Sequence, residues 1–346
     1  MTSAVIDDVA TPWQSDGSTL WTLSIAPAAA EASTSGVAMR IDAAAGAAND
    51  PPPSAARQFP APLDLRGVDE LRLWLRSSRP ASGAPDKPFY LALEATAAAG
   101  PQPVWRRLLP VDRADAWELH CLWLGDMAAE LRQAVGTLRL RSLDATVAFR
   151  ACVGELIATL PEPIGDLEDA LAERLDKIYS VAVEGTPTSV PAILDVPESP
   201  GTRTAPYVLI TPWSVHALEP RGGADDVVDN YTPAGAHTRP ARRLLRLEYR
   251  IDAFVTTRRH KSHLLERIVA DLAARRLRVD GELLEAVAFD PSAHELASLV
   301  APGRTPLFYR WLVPIEAGAR QFHAQAVPFL TFGQPDEPSA TEAVAA

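Results

Sequence analysis

The run RRLLRLEYRIDAFVTTRRHKSHLLERIVADLAARRLRV, Arg242 to Val279, changes its hydrophobic period halfway along, and that change limits what the chain can fold into. From Leu245 the apolar side chains take every second position, Leu245, Leu247, Tyr249, Ile251, Ala253 and Val255, while Arg246, Glu248, Arg250 and Asp252 alternate in sign between them. Side chains of a strand point to opposite faces in turn, so the pattern predicts one long, half-buried strand. Past a polar turn holding Arg258, Arg259 and Lys261, the residues Leu264, Ile268 and Leu272, with Leu265 and Val269, recur at helical spacing. Ser262 is the expected N-cap, and Arg267, Asp271 and Arg275 at four-residue steps are placed to pair along the wet face. A long strand feeding an amphipathic helix is a scaffold and carries no chemistry of its own.

Charge singles out the same stretch. Between Arg239 and Arg278 stand eleven Arg and one Lys against Glu248, Asp252, Glu266 and Asp271, a net +8, in a chain whose total is −11 and whose remainder is therefore −19. An acidic chain with one basic stripe points to a specific acidic or anionic surface as partner, because a free nucleic-acid binder is basic overall. The plainer reading is a solvated strand edge guarded by arginine.

At 346 residues the chain is long enough for two domains. Residues 1–160 read as all-β: short apolar runs recur at Leu20 to Ile25, Val37 to Ile41, Leu71 to Leu75, Phe89 to Leu93, Val104 to Leu109, Trp117 to Leu124, Val135 to Leu140 and Val147 to Val153. Turn-rich stretches separate them, which favours a two-sheet sandwich. Two prolines in the linker 161–165 mark the boundary, and Asp166 is the expected start of a helix with Leu167, Leu171, Leu175 and Ile178 on one face.

The second domain, 166–333, reads as α+β. Tyr207 to Ile210 is a short buried strand, and Leu283 to Phe289, Leu307 to Ile315 and Phe322 to Phe332 supply others. Glu219 to Ala241 has little periodicity. A run of that length without structure is rare inside a domain, so it reads as a disordered insertion or, preferably, an arm that orders on a neighbour. The polar tail 334–346 is expected to be disordered.

Reaction machinery is absent from the sequence: there is no G-x-S-x-G, P-loop, H-E-x-x-H or G-x-G-x-x-G motif. His260 and His263 lie among cations that repel a metal, Asp225 and Asp226 sit in a glycine-rich loop, and Ser189, Ser214 and Ser292 have no evident base. We expect no enzyme, no cofactor and no metal. Cys121 and Cys152 are too sparse for a disulfide framework and read as packing residues. The first residues are acidic where a secretory signal is basic, and no apolar run approaches a membrane span, so the expected location is the cytosol until lysis.

Two resemblances follow from ordered phrases. LDLRGVDELRLWLR (Leu63 to Arg76), FYLALEA, VWRRLLPV, Trp117 and LRLRSLDATVAFRACVGEL together resemble the jelly-roll carbohydrate-binding and galactose-binding-like modules. In such modules exposed aromatics stack on sugar rings, a role the resemblance offers to Trp105 or Trp123, against the core role that a large indole usually takes. The second half, with IGDLEDALAERL, APYVLITPW, a loop tip at Asp229-Asn230-Tyr231, LLRLEYRIDAFV, HKSHLLERIVADLA and RLRVDGELL in order, resembles the cap or tail-terminator proteins of contractile injection systems, the phage-tail-like particles.

The fold class expected is therefore mainly β with α+β, a jelly roll followed by a terminator-like domain. The resemblance implies a hexameric ring that stops the inner tube and ties the last sheath layer to it, with the chain itself, the tube protein and the sheath protein as partners and no nucleic acid or membrane span. Its interface candidates are Arg242, Arg243, Arg246, Arg250, Arg258, Arg259, Lys261, Asp229, Asn230 and Tyr231. An exposed edge near Leu244 to Val255, or the segment Phe322 to Phe332, is expected to accept a partner strand. The alternatives are a carbohydrate-binding or adhesion protein, a baseplate or adaptor component, and a hydrolase with a sugar-binding appendage.

Overall fold

The short apolar runs become strands in the computed structural model, which describes residues 3–98, 100–176, 178–183, 186–195, 204–218, 226–291, 306–315 and 320–323. In chain order they are β1 (Ser3–Asp7), β2 (Gln14–Ser15), β3 (Trp21–Pro27), β4 (Val37–Ala43), β5 (Ser54–Leu63), β6 (Glu70–Ser77), β7 (Leu91–Ala97), β8 (Pro103–Leu108), β9 (Trp117–Trp123), a one-turn α1 (Ala129–Arg132), β10 (Val135–Ser142) and β11 (Phe149–Thr159). Next come α2 (Pro163–Asp176), β12 (Ser180–Val183), β13 (Thr186–Ser189), β14 (Ala192–Leu194), β15 (Tyr207–Leu218), β16 (Asp226–Thr232), β17 (Gly235–Pro240) and β18 (Arg243–Phe254). The described chain ends with α3 (Arg258–Ala274), β19 (Leu277–Val279), β20 (Glu282–Leu284), β21 (Val287–Ala288), β22 (Leu307–Ile315) and β23 (Gln321–His323).

The chain divides into unit 1, Met1–Pro161 with Asp225–Pro240 and Gly318–Ala346, and unit 2, Glu162–Ala224 with Ala241–Ala317. This differs from a single division after residue 160. The sequence reading gave 166–333 to one domain, whereas Asp225–Pro240 and the described part of Gly318–Ala346 group with the first unit. The physical reason is that β16, β17 and β23 are short and find their hydrogen-bond partners in a sheet of unit 1. Residues 324–332 and the tail 334–346 lie outside the described residues.

Unit 1 is a two-sheet jelly-roll sandwich. One sheet has the order β3-β4-β11-β6-β9, with β1 also on β11; the other runs β2-β5-β10-β7-β8-β16-β17-β23. Alternation in each strand turns one set of side chains inward, and Met39, Ile41, Leu71, Leu73, Leu75, Leu91, Leu93, Leu138, Leu140 and Val153 meet in one core. Strand β11 changes partner midway: residues up to Val153 pair with β4, and from Leu156 the chain pairs with β1. Gly154 sits at that shift because a Cβ there would lie 2.3 Å from the Ala32 carbonyl oxygen and 3.0 Å from Trp74 Cβ. The next residue, Glu155, is buried and accepts hydrogen bonds from the Thr34 amide at 2.9 Å and the Thr34 hydroxyl at 2.8 Å.

Unit 2 is built on the five-stranded sheet β14-β15-β18-β22-β21. Strand β18 pairs antiparallel with β15 on one side and with β22 on the other, so it is the central strand and not an edge, which removes both the guarded-edge reading and strand addition at Leu244 to Val255. Its inward residues Leu247, Tyr249 and Ile251 pack with Trp311, with Leu167, Leu171 and Leu175 of α2, and with Leu264, Ile268 and Leu272 of α3. Helix α2 starts at Pro163, where a missing N–H costs nothing, and the Asp166 carboxylate accepts from the Glu162 amide at 2.7 Å. Helix α3 starts four residues before the expected cap: Thr257 is the N-cap, its side chain accepting from the His260 amide at 3.2 Å. Ser262 therefore lies inside the helix. Asp271 turns away from its helical neighbours to form a two-pronged ion pair with Arg174 of α2, at 2.6 and 2.7 Å.

One core group of unit 1 titrates. His120, 8% exposed, stands opposite Leu73, and its Nε2 has no hydrogen-bond partner among the described residues. Burial alone pushes its pKa down to about 4. The native state thus refuses a proton that the unfolded chain accepts, so stability is unaffected above about pH 6.5 and declines as pH falls towards 4, by up to about 3 kcal/mol. Urea unfolding measured from pH 7.5 to 4 should show this decline, and His120→Leu should flatten it.

Candidate functional site

The basic stripe does not form one patch. On β18, Arg246 Nε lies 3.2 Å from Glu248 and Arg250 Nε 2.6 Å from Asp252, two residues along the same face in each case. Glu248 also accepts from the Ser214 hydroxyl. Arg250 and Glu248 are each 9% exposed and Asp252 4%, so these charges are matched inside the protein. Arg242 Nη1 lies 3.1 Å from Glu282. Arg243 is exposed at the start of β18; Arg258 and Arg259 are exposed and Lys261 half-buried in the first turn of α3, beyond its other end. At about 3.4 Å per residue the length of β18 separates the two by roughly 35–40 Å.

The cluster at α3 is electrostatically unusual. The first turn of a helix carries the partial positive charge of its unpaired amides, and acidic side chains are the residues that relieve it. Here the first turn has no acid, and Arg258, Arg259 and Lys261 add positive charge instead.

Of the stretch read as an arm, Glu219 to Ala241, residues 219–225 lie outside the described residues, and Asp226–Pro240 is a hairpin of unit 1. Its strands β16 and β17 pair with each other, Tyr231 pairs with Leu108 of β8, and β17 pairs with β23. The candidate tip Asp229-Asn230-Tyr231 thus faces inward. Asn230 is 1% exposed; its Oδ1 accepts from the Trp123 amide at 2.8 Å and from Arg107 Nε at 3.2 Å, and its Nδ2 donates to the Cys121 carbonyl at 3.3 Å. One side-chain amide therefore does for the edge strand β9 what a neighbouring peptide group would do, accepting from one residue and donating to another two away. Asp229 accepts from Arg239 and from Arg320, each at 2.8 Å, and Arg320 reaches on to Glu70 at 3.0 Å. The Tyr231 ring packs on Phe89 at 4.8 Å between centroids.

Arg107 is the hub of this arrangement. It is 1% exposed, donates to the carbonyls of Arg106 at 3.0 Å and Trp123 at 2.7 Å, bonds Asp126, and lies 4.9 Å over the Trp105 ring. The other Asp126 oxygen is 3.4 Å from His237 Nε2, and burial, reinforced by Arg107, holds His237 below the ordinary imidazole range. Trp105 is 5% exposed with its indole N–H on the Trp123 carbonyl at 3.2 Å, so it belongs to the core. Trp123 carries His237 of β17 edge-on at 5.0 Å and the guanidinium of Arg320, the residue before β23, at 5.3 Å. Trp105 is thus closed to sugar stacking, while Trp123 is half-buried.

No protein-family model matches the chain, and no curated protein matches it. Solved structures of two kinds are similar to it. The family 11 carbohydrate-binding module of the cellulosomal cellulase Lic26A-Cel5E of Clostridium thermocellum is 8% identical, with a TM-score of 0.34, over 46% of this chain and 95% of its own. The PVC sheath/tube terminator of an extracellular contractile injection system, in its extended state, is 18% identical with a TM-score of 0.36, over 46% of this chain and 58% of its own. The anti-feeding prophage cap, a tube-terminating cap, is 15% identical with a TM-score of 0.35, over 47% of this chain and 57% of its own. These are the two kinds of protein that the sequence resembles. Among the described residues no helix is long and apolar enough to cross a membrane.

Sequence reasoning named Asn230 but not its partners. Arg107 and Asp126 lie more than a hundred residues before it, and no local pattern joins them. Asn230→Ala removes three hydrogen bonds and leaves a buried guanidinium nitrogen and two strand groups unpaired, a loss of about 2–4 kcal/mol. Urea unfolding should register it, with faster amide exchange in β16 and β17. A chain ended at Pro161 lacks Asn230, Asp229 and Arg320 altogether; we expect it to melt at least about 10 °C below the full chain, or to aggregate, in differential scanning fluorimetry.

Proposed function

We propose that the chain is a structural end protein of a contractile, phage-tail-like particle, a terminator whose copies close into a sixfold ring on the inner tube and tie the last sheath layer to it. The cationic first turn of α3 carries this reading. Each positive charge at a helix N-terminus works against the dipole by about 0.3–1 kcal/mol, a cost that a purely structural helix has no reason to keep. An acidic partner surface removes it on contact and gains steering and register from the same charges. One similar structure is a sheath/tube terminator and another a tube-terminating cap, and tube and sheath enter here as partners by proposal. The order of elements along the chain, helix, extended run, strand, a hairpin that joins unit 1, long strand and helix, supports it as the ordered set on which the sequence resemblance rests. A ring suits the role because one heterologous contact repeats until it closes. The particle assembles in the cytosol and leaves the cell on lysis.

Reversal of Arg258, Arg259 and Lys261 to Glu separates contact from folding. The new acids complement the helix dipole, so the melting temperature should hold or rise by about 1–4 °C, while co-sedimentation with purified tube and sheath should fall and the wild-type interaction should weaken with salt. Rings should be visible for the wild type by negative-stain microscopy and mass photometry. A strict monomer without affinity for tube or sheath overturns the terminator reading, and undiminished binding by the triple variant removes α3 from the contact.

A further inference from the structure

The last described strand of unit 1 is held differently from the hairpin on which it pairs. Strand β23 adds three residues to β17, Gln321 opposite Thr238, Phe322 opposite His237 and His323 opposite Ala236, and all three are exposed. Its one large apolar side chain, Phe322, lies 5.1 Å from the His237 ring between centroids yet is 50% exposed. So little buried apolar surface holds a strand weakly. The hold comes from the residue before it. Arg320, its side chain 10% exposed, donates from Nε to Asp229 at 2.8 Å and from Nη2 to Glu70 at 3.0 Å, and its guanidinium lies 5.3 Å from the centre of the Trp123 ring. Two carboxylates and an aromatic face around one planar cation are the chemistry that recognises arginine.

Each carboxylate of this receptor has a second guanidinium as well. Glu70 takes Arg320 on Oε1 and Arg72 on Oε2, the latter at 3.1 Å. Asp229 accepts from Arg239 at 2.8 Å as well as from Arg320. Breaking a buried ion pair is expensive when it leaves one charge without a partner, and the departure of Arg320 leaves Glu70 with Arg72 and Asp229 with Arg239. Asn230 is in the opposite position, because its withdrawal strands groups on Arg107 and on β9. Within one sheet, then, β16 is locked in place, while β23 with Arg320 is poised to open locally. A receptor vacated in this way is refilled by the same segment of another copy, since the contacts are identical and only the chain that supplies them differs.

We infer that Glu70, Asp229 and Trp123 form a receptor for an arginine on an extended segment, filled within one chain by Arg320 and exchangeable with residues 320–323 of a second copy. The receptor lies in unit 1 and stands whether or not the chain ends a tube. Full-length Arg320→Ala empties it. This variant should still unfold cooperatively in urea, and a fluorescein-labelled peptide with the sequence of residues 317–325 should bind it saturably by anisotropy. The wild-type chain should bind the peptide at least about tenfold more weakly, because its own segment competes at an effective concentration on the order of millimolar. Alanine in place of the peptide's arginine should abolish binding. For exchange between copies, full-length Thr238→Cys carrying Arg320→Ala is mixed with full-length Gln321→Cys and oxidised with glutathione disulfide. The two positions are register partners, a spacing that a disulfide spans, and neither chain can close that bond alone. A disulfide-linked heterodimer is expected, and wild-type chain treated alike, with Cys121 and Cys152 in place, should give none. Loss of cooperative unfolding in Arg320→Ala, absence of saturable peptide binding, or equal binding by the arginine-free peptide overturns the receptor. Peptide binding without the heterodimer overturns the second copy as its occupant.

Discussion

A guanidinium that is 1% exposed has to be surrounded by acceptors, and unit 1 is arranged to meet that demand at Arg107. Two acceptors are backbone carbonyls close in sequence, a third is Asp126, and the fourth, Asn230, arrives from a hairpin more than a hundred residues later. The same amide satisfies the outer edge of β9 at Cys121 and Trp123. Taking the hairpin away leaves a buried cation short of a partner and a strand edge open at the same time. The hairpin is thus part of the sandwich, and the jelly roll is not a module that ends where its first eleven strands end.

Unit 2 is governed by a different constraint, the central position of β18. A strand paired on both sides cannot use its backbone for a partner, and its charged face is matched internally, Arg246 with Glu248 and Arg250 with Asp252. What remains for contact is charge placed off the sheet, at the first turn of α3, where the helix dipole makes it costly to hold. Both features follow from geometry: alternating signs two residues apart neutralise each other on one strand face, while cations gathered in one helical turn do not.

The contrast between the two basic surfaces is instructive about arginine. On β18 Arg246 and Arg250 each have a carboxylate of their own. On the outer face of unit 1 two guanidiniums, Arg106 at 2.7 Å and Arg141 at 3.8 Å, share the one carboxylate of Glu94. A count of charges along the chain finds the first group, because its members are neighbours in sequence. It passes over the second, whose members come from three strands and are separated by up to 47 positions between Glu94 and Arg141.

Periodicity alone settled the sandwich core, the long strand from Leu245, the stripe Leu264, Ile268 and Leu272, and the α2 face Leu167, Leu171 and Leu175, because burial of one face is written into every second or every third and fourth residue. It missed the start of α3, since Thr257 competes as a cap on equal chemical terms with Ser262 and only the preceding strand's end decides between them. It also took the segment around Asp229-Asn230-Tyr231 for an outward arm, because the hairpin is stabilised by partners elsewhere in the chain and carries few apolar residues in any period. Which side chains exist, and how often they face the same way, is local information; which buried charge each must satisfy depends on strand order, and strand order is fixed only when the whole sheet closes.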